Sequence, residues 1–235
     1  MGTLLYFEDK LLLVFMWLVK YYEYSSLAYL FGTSPPVVSA ILSAFLPLLV
    51  VHFSQFITNR LQSSKTSCLS SKIVVVIDGT IHACHKPAKD QHMDYNDHYK
   101  RHGMMTHLLV DFDGYIVAVQ TNVQGRVHDA NAAQYNELFP SILGNKFALG
   151  DPGYAGVSYV VAGLKNNQLN SQAQCEFDKI TRTEQVIIEH VNKHIKGCRV
   201  LSKRHMFMHG RELHICCVFI VCGWFNWMKE TFDKY

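Results

Sequence analysis

Three acidic residues in this 235-residue chain have the type and spacing to hold hard cations: Asp78, Asp151 and Glu189. Mg²⁺ and Mn²⁺ prefer oxygen ligands and keep part of their water shell, so a few carboxylates gathered from distant segments suit them. Two such ions, roughly 3.5–4 Å apart, can activate a water or a 3′-hydroxyl and stabilise the leaving oxygen of a phosphodiester. In that chemistry Asp78 would bridge the ions, Asp151 and Glu189 would each hold one side, and Lys196 would meet a phosphate.

The local sequence around each acid supports the choice unequally. Asp78 closes the β-branched run IVVVIDG (73–79), which predicts a buried strand with the carboxylate at its carboxyl end, where α/β proteins bind ligands. Asp151 repeats the pattern at the end of KFALGD (146–151), ahead of the turn PGYAG. An Asp in such a turn is also common for purely conformational reasons. Glu189 lies inside RTEQVIIEHVNKHIK, seven residues from both Arg182 and Lys196. That is about two helical turns, so the three fall near one face; a solvated helix carboxylate is the simpler alternative.

The elements that must position these groups follow from periodicity and punctuation. Residues 11–20 and 25–31 read as helices, with Ser25 capping the second; Gly32-Thr33 breaks the pattern. Ser34 then caps a third helix with Pro35 at its first position, running to about Phe45, with Pro47 disturbing it beyond. This is a helix-turn-helix pattern, yet no Lys or Arg occurs between Lys20 and Arg60, so packing or dimerisation suits its apolar third helix better than base reading. The Ser/Thr-rich segment 61–72 reads as a linker between a helical unit, 1–60, and a larger domain, 73–235. Within the latter, residues 104–112 and 115–123 flank Asp113-Gly114, a hairpin signal. Residues 128–139 read as helix, 157–163 as strand, 183–196 as helix, and 209–232 as containing another. The expected fold is α/β: a mixed sheet with helices on its faces.

Composition fits a globular chain, with 49% hydrophobic and 17% charged residues. A net charge of +3 permits a polyanionic partner without demanding one. Seven cysteines, odd in number and without CxxC spacing, argue against a disulfide framework. The apolar stretches 11–19 and 215–227 are each too short to span a bilayer, so no membrane association is expected.

Taken in order, DGT (78–80), YNDHYKRH (95–102), GRVHDA (125–130), GDPGYAG (150–156) and IIEHVNKHIK (187–196) resemble the DDE domain of PIF/Harbinger-type transposases and their bacterial insertion-sequence relatives. The leader LAYLFGTSPPVVSAIL resembles the helix-turn-helix that precedes that domain. The resemblance implies an RNase H-like fold, catalytic and metal-binding roles for Asp78, Asp151 and Glu189, and a divalent metal, Mg²⁺ or Mn²⁺, as two ions. It carries the family's HD pair onto His128 and Asp129, for which helix capping is the competing explanation. It makes Lys196, Arg182, Lys100 and Arg101 candidates for DNA contact. It further implies transposon terminal repeats as substrate, a homo-oligomer, a Myb-like DNA-binding partner and, in a eukaryote, a nuclear location. The chain departs from the family at Gln185, where Arg is usual, and at Asn96–Lys100, where Ser-Gly-Lys-Lys is usual after the tyrosine.

Three other readings compete with this one. A zinc site from His82, Cys84, His85, His92, His98 and His102 has the right ligand types in an awkward HxCH spacing. A domesticated, non-catalytic DNA-binding or scaffold protein would be marked by a lost carboxylate, and all three are present. An RNase H-type enzyme acting on RNA hybrids shares the metal chemistry but not the ordered motifs.

Overall fold

The computed structural model describes residues 5–57, 61, 65–87, 91–202 and 211–232. Three helices come first: α1 (Phe7–Lys20), α2 (Tyr24–Leu30) and α3 (Pro35–Ser54). Glu23, not Ser25, is the N-cap of α2. Ser34 does stand at the N-cap of α3, ahead of Pro35, though its side chain makes no capping bond. Helix α3 continues through Pro47 for another two turns, where a stop was expected. Its buried side chains, Val38, Ile41, Leu42, Leu46 and Phe53, hold the helix in place against its neighbours, and tertiary packing outweighs the local proline penalty. Among the described helices α3 is also long and apolar enough, by length and composition, to cross a membrane.

The rest is a curled mixed sheet flanked by helices, an RNase H-like arrangement. Strand β1 (Ile73–Ala83) pairs antiparallel with β3 (Arg101–Asp111), which pairs in turn with β4 (Ile116–Gln124) and with the short β2 (Tyr95–Asn96). On its other edge β1 runs parallel to β5 (Phe147–Gly150), and β5 runs parallel to β6 (Val160–Ala162). Asp111 holds the Asp113-Gly114 hairpin by accepting from the backbone N–H of Asp113 at 3.0 Å and of Tyr115 at 2.9 Å. The expected helix over 128–139 is two pieces, α4 (Asp129–Gln134) and α5 (Leu138–Leu143). Asn136 forces the break, since its Oδ1 accepts from Leu138 and Phe139 N–H and starts the second piece. Helix α6 (Gln172–Ile195) begins eleven residues before the expected 183, at an N-cap where the Ser171 hydroxyl accepts from Gln174 N–H. A one-turn α7 (Arg199–Ser202) and the long α8 (Arg211–Phe232) complete the chain; the expected start of that last helix at 209 falls outside the described residues.

Side-chain alternation splits the sheet into two faces. Val76, Leu108, Val110 and Val119 pack with α6, α8 and the three N-terminal helices in one continuous core. Val75, Ile77, Leu109 and Val117 pack with Phe139, Leu143 and Tyr154 on the other. Helices α3 and α8 lie so close that a Cβ on Gly223 would stand 2.1 Å from the Phe53 carbonyl oxygen, so only glycine fits there. Asn226 on α8 is fully buried. Its Oδ1 accepts from Ile116 N–H at 2.9 Å, and its Nδ2 donates to the carbonyls of Ile116 at 2.7 Å and Phe56 at 2.8 Å. One amide thus ties β4, α8 and the end of the α3 region together. The segment before β1 is docked too: Ser67 hydroxyl and Cys68 N–H both donate to the Glu184 carboxylate on α6, at 2.6 and 2.7 Å.

Candidate active site

Sheet register brings the two aspartates together. Val76 of β1 pairs with Leu149 of β5, and Asp78 and Asp151 each stand two residues beyond that pair. Because the strands are parallel, both carboxylates emerge at one end of the sheet, in the crevice where such sheets place their chemistry. Asp78 does not end its strand, as the sequence suggested; β1 runs on to Ala83 along β3 after β5 has stopped. The crevice opens where the β5 partner is lost. Asp151 enters a 3₁₀ turn and accepts from Gly153 N–H at 2.8 Å, which fixes its rotamer.

Asp78 shares a sheet face with Val76, the face covered by α6. Asn192 on α6 donates to Asp78 Oδ2 at 2.8 Å, and Gly79 N–H lies 2.8 Å from Oδ1. Despite these donors the Asp78 carboxyl is pushed up to about 7, first by burial and then by the Asp151 charge. Asp151 is raised as well, by burial and then by Asp129, against the opposing bond from Gly153. Clustered like charges withdrawn from water disfavour ionisation.

Asp129 is the acid that sequence reasoning undervalued. It sits in the first turn of α4, as expected, but its side chain makes no cap; Oδ1 lies 2.9 Å from Nε2 of the fully buried His107 on β3. A Cβ on Gly79 would come within 2.6 Å of Asp129 Oδ1, and one on Gly153 within 2.9 Å of Asp151 Oδ1 and 3.6 Å of Asp129 Oδ2. The two glycines of the Asp-Gly and Asp-Pro-Gly motifs leave the room in which these carboxylates approach. His128 is exposed at the α4 N-cap without a side-chain capping bond.

Glu189 lies on α6 one turn before Asn192, with an exposed side chain; among the described residues it forms no hydrogen bond or ion pair. Lys196 ends the same helix, half-buried, and its ammonium is lowered by burial while the Asp78 charge opposes that shift. Arg101 also bears on Lys196, which puts both cations beside the acidic crevice. The hairpin holding Arg101 and Lys100 overhangs the same place: burial, then the charges of Asp78, Asp129 and Asp151, raise the Tyr99 phenol. Asn96 shapes that hairpin, accepting from Tyr99 N–H at 2.9 Å and donating to Gly125 carbonyl at 2.7 Å. Its base is anchored by the buried Asp94, which takes Arg211 at 3.0 and 3.1 Å. Arg182 points elsewhere, committed to Asp178 at 2.7 Å and Asn166 at 3.2 Å.

The chemistry of the donor set fits a hard divalent cation. It consists of carboxylate oxygens whose mutual repulsion a cation would relieve, beside a buried Asn192 Oδ1 that has no hydrogen-bond partner. Among the described residues, no three His, Cys, Asp or Glu side chains stand close enough to hold an ion as they are. Of the histidines considered for zinc, His82 is turned inward, with Nδ1 on the Leu201 carbonyl at 2.9 Å and its ring 4.9 Å from that of His214.

Residues 77–221 match the DDE superfamily endonuclease family, and residues 3–55 match the helix-turn-helix of DDE superfamily endonuclease. The chain is 22% identical over 216 residues, 87% of its own length and 75% of the relative's, to a probable transposase for insertion sequence element IS702 from Microchaete diplosiphon. No solved structure matches the chain. Enzymes of the DDE superfamily normally use divalent metals. With the family match spanning more than half of the sequence and containing Asp78, Asp129, Asp151 and Glu189, this chain belongs to the DDE superfamily endonuclease family.

Proposed function

We propose that the chain is a PIF/Harbinger-type transposase that cuts DNA phosphodiester bonds at the ends of a mobile element and joins the freed strand to a target. The observation that carries this reading is the placement of Asp78 and Asp151, two residues beyond a parallel β1–β5 pair, with Asn192 of α6 bonded to the first. In this reading Asp78, Asp151 and Glu189 are the catalytic carboxylates, and they would hold Mg²⁺ or Mn²⁺, as two ions. When bound, the metal would polarise the phosphate and favour the attacking oxygen.

The chain's own residues have separate tasks. Asn192 orients Asp78, and Gly153 N–H fixes the Asp151 carboxylate. Lys196, Arg101 and Lys100 supply positive charge at the rim, suited to the DNA backbone beside the scissile phosphate. In the first step water oxygen bonds to phosphorus and the bond to the 3′ oxygen breaks, leaving a 3′-hydroxyl. In the second that hydroxyl oxygen bonds to a target phosphorus and the target's own P–O3′ bond breaks, the proton passing to the departing 3′ oxygen, which leaves as a new 3′-hydroxyl end. Residues 61–72 would link the helix-turn-helix-like unit, 1–60, to the endonuclease domain, 73–235. A homo-oligomer would hold paired ends, and a Myb-like partner would compensate for the cation-free α3, in the nucleus if the source is eukaryotic.

The test is cleavage of duplex DNA carrying a candidate terminal repeat, with Mg²⁺, by wild type and by Asp78→Asn. Nicks leaving 3′-hydroxyl ends with wild type and none with the variant are expected. Equal cleavage by both would remove the assignment.

A further inference from the structure

His107 and Asp129 form a pair that the three-carboxylate site leaves unexplained. His107 lies mid-strand in β3, fully buried, opposite Gly79 in the β1–β3 register. A buried imidazole on the sheet face it shares with Leu109 is costly unless its nitrogens are used. Nε2 is used, on Asp129 at 2.9 Å; Nδ1 has no partner. Asp129 in turn keeps its carboxylate about one-third exposed, facing Gly79 through one oxygen and Gly153 through the other. It therefore reaches into the crevice from the face of the sheet opposite Asp78, beside Asp151.

Two further groups point to something that binds there. Asn192 is 8% exposed and bonded through Nδ2 to Asp78, but its Oδ1 has no partner. Tyr154 is fully buried with its ring edge-on to His107 at 6.1 Å, and its hydroxyl has no partner. Buried polar atoms are normally satisfied, so unpartnered ones around a carboxylate cluster mark a place for a ligand.

We propose that Asp129 is a further oxygen donor to the divalent cation beside Asp151, and that His107 is its positioning residue. This rests on the reading of Asp78 and Asp151 as metal carboxylates. A histidine donating to a ligating carboxylate fixes its orientation, and removing such an outer partner typically lowers metal affinity about 10–100-fold. Gly79 belongs to the same device, since any side chain there would displace both members of the pair.

The experiment is direct titration of the full chain with Mn²⁺ alone, followed by the ion's paramagnetic signal, with a thermal melt to verify folding. Asp129→Asn and His107→Leu are expected to weaken Mn²⁺ binding at least about 10-fold, and His107→Gln, which keeps an N–H donor, to stay within about threefold of wild type. Gly79→Ala, which retains every carboxylate, is expected to weaken binding as His107→Leu does, so the inference does not depend on one variant folding. Asp129→Asn binding Mn²⁺ like wild type while Asp78→Asn does not would overturn this inference alone. Wild type that binds no Mn²⁺, or Asp78→Asn that binds it fully, would overturn the underlying site as well. Equal losses in His107→Gln and His107→Leu would overturn the positioning role.

Discussion

Asn192 donates its amide N–H to Asp78 Oδ2 at 2.8 Å, which locks helix α6 to strand β1 at the point where the parallel partner β5 has ended. The bond spans 114 residues of sequence and joins the two elements that carry two of the three expected catalytic acids. It also sets the helical phase of α6, since Ile188, Val191 and Ile195 must be buried for Asn192 to reach the strand.

Replacing Asn192 therefore tests orientation without touching a carboxylate. Asn192→Leu keeps the volume and removes the donor. Mg²⁺-dependent cleavage is expected to fall about 10–100-fold. Single-turnover rates on a nicked-product gel would measure this, alongside a melt to show an intact fold. Wild-type rates would show that Asp78 needs no such support.

Lys196 and Arg101 are expected to act on affinity. Each neutralising contact to duplex DNA releases counterions, so Lys196→Met should weaken binding and reduce the slope of log K against log salt by about 1. Binding measured across a salt series checks both. An unchanged slope would place Lys196 away from the backbone.

Acid sensitivity should come from the far end of β1, on the face that Asp78 shares. Burial lowers His82 to about 3 and His214 to about 4. Both are depressed below the ordinary value near about 6.5, so the unfolded chain takes up protons first as pH falls. Stability is full above that value and declines as pH drops towards 4, by on the order of 2 kcal/mol per histidine at pH 5. Urea unfolding between pH 7 and 5 would show the slope, and His214→Phe should flatten it. A slope unaltered by that change would assign the sensitivity to other groups.

Asn226 predicts a stability cost with no direct role in chemistry. Asn226→Leu would strand the Ile116 N–H and the Ile116 and Phe56 carbonyls in the core, costing about 2–4 kcal/mol. Denaturant unfolding measures it. A loss under about 0.5 kcal/mol would mean that these groups find other partners.

Much of this was legible in the sequence. The run IVVVI is β-branched throughout and MMTHLLV is β-branched or apolar apart from His107, so β1 and β3 were expected, as was the Asp113-Gly114 hairpin between β3 and β4. Strand β1 was read too short because Gly79 looked like the turn after Asp78; it is instead the gap that admits Asp129. Asp129 stood out only through the family resemblance, because an acid in a first helical turn has a ready local explanation and its partner His107 lies 22 residues upstream in a mostly apolar strand. Asn192 gave no signal, since an amide in a polar helix is ordinary until its phase against the sheet is known. Arg182 matched by spacing, but Asp178 one turn earlier already holds it.

In the proposed function Asp78 and Asp151, with Glu189, carry metal-dependent DNA cleavage. The most direct measurement compares Asp78→Asn, Asp151→Asn and Glu189→Gln with wild type in one Mg²⁺-dependent single-turnover cleavage assay, each protein first shown to be folded. Every variant is expected to lose at least about 10³-fold in rate, equivalent to about 4 kcal/mol of barrier. Wild-type cleavage by any folded member of the three would contradict it.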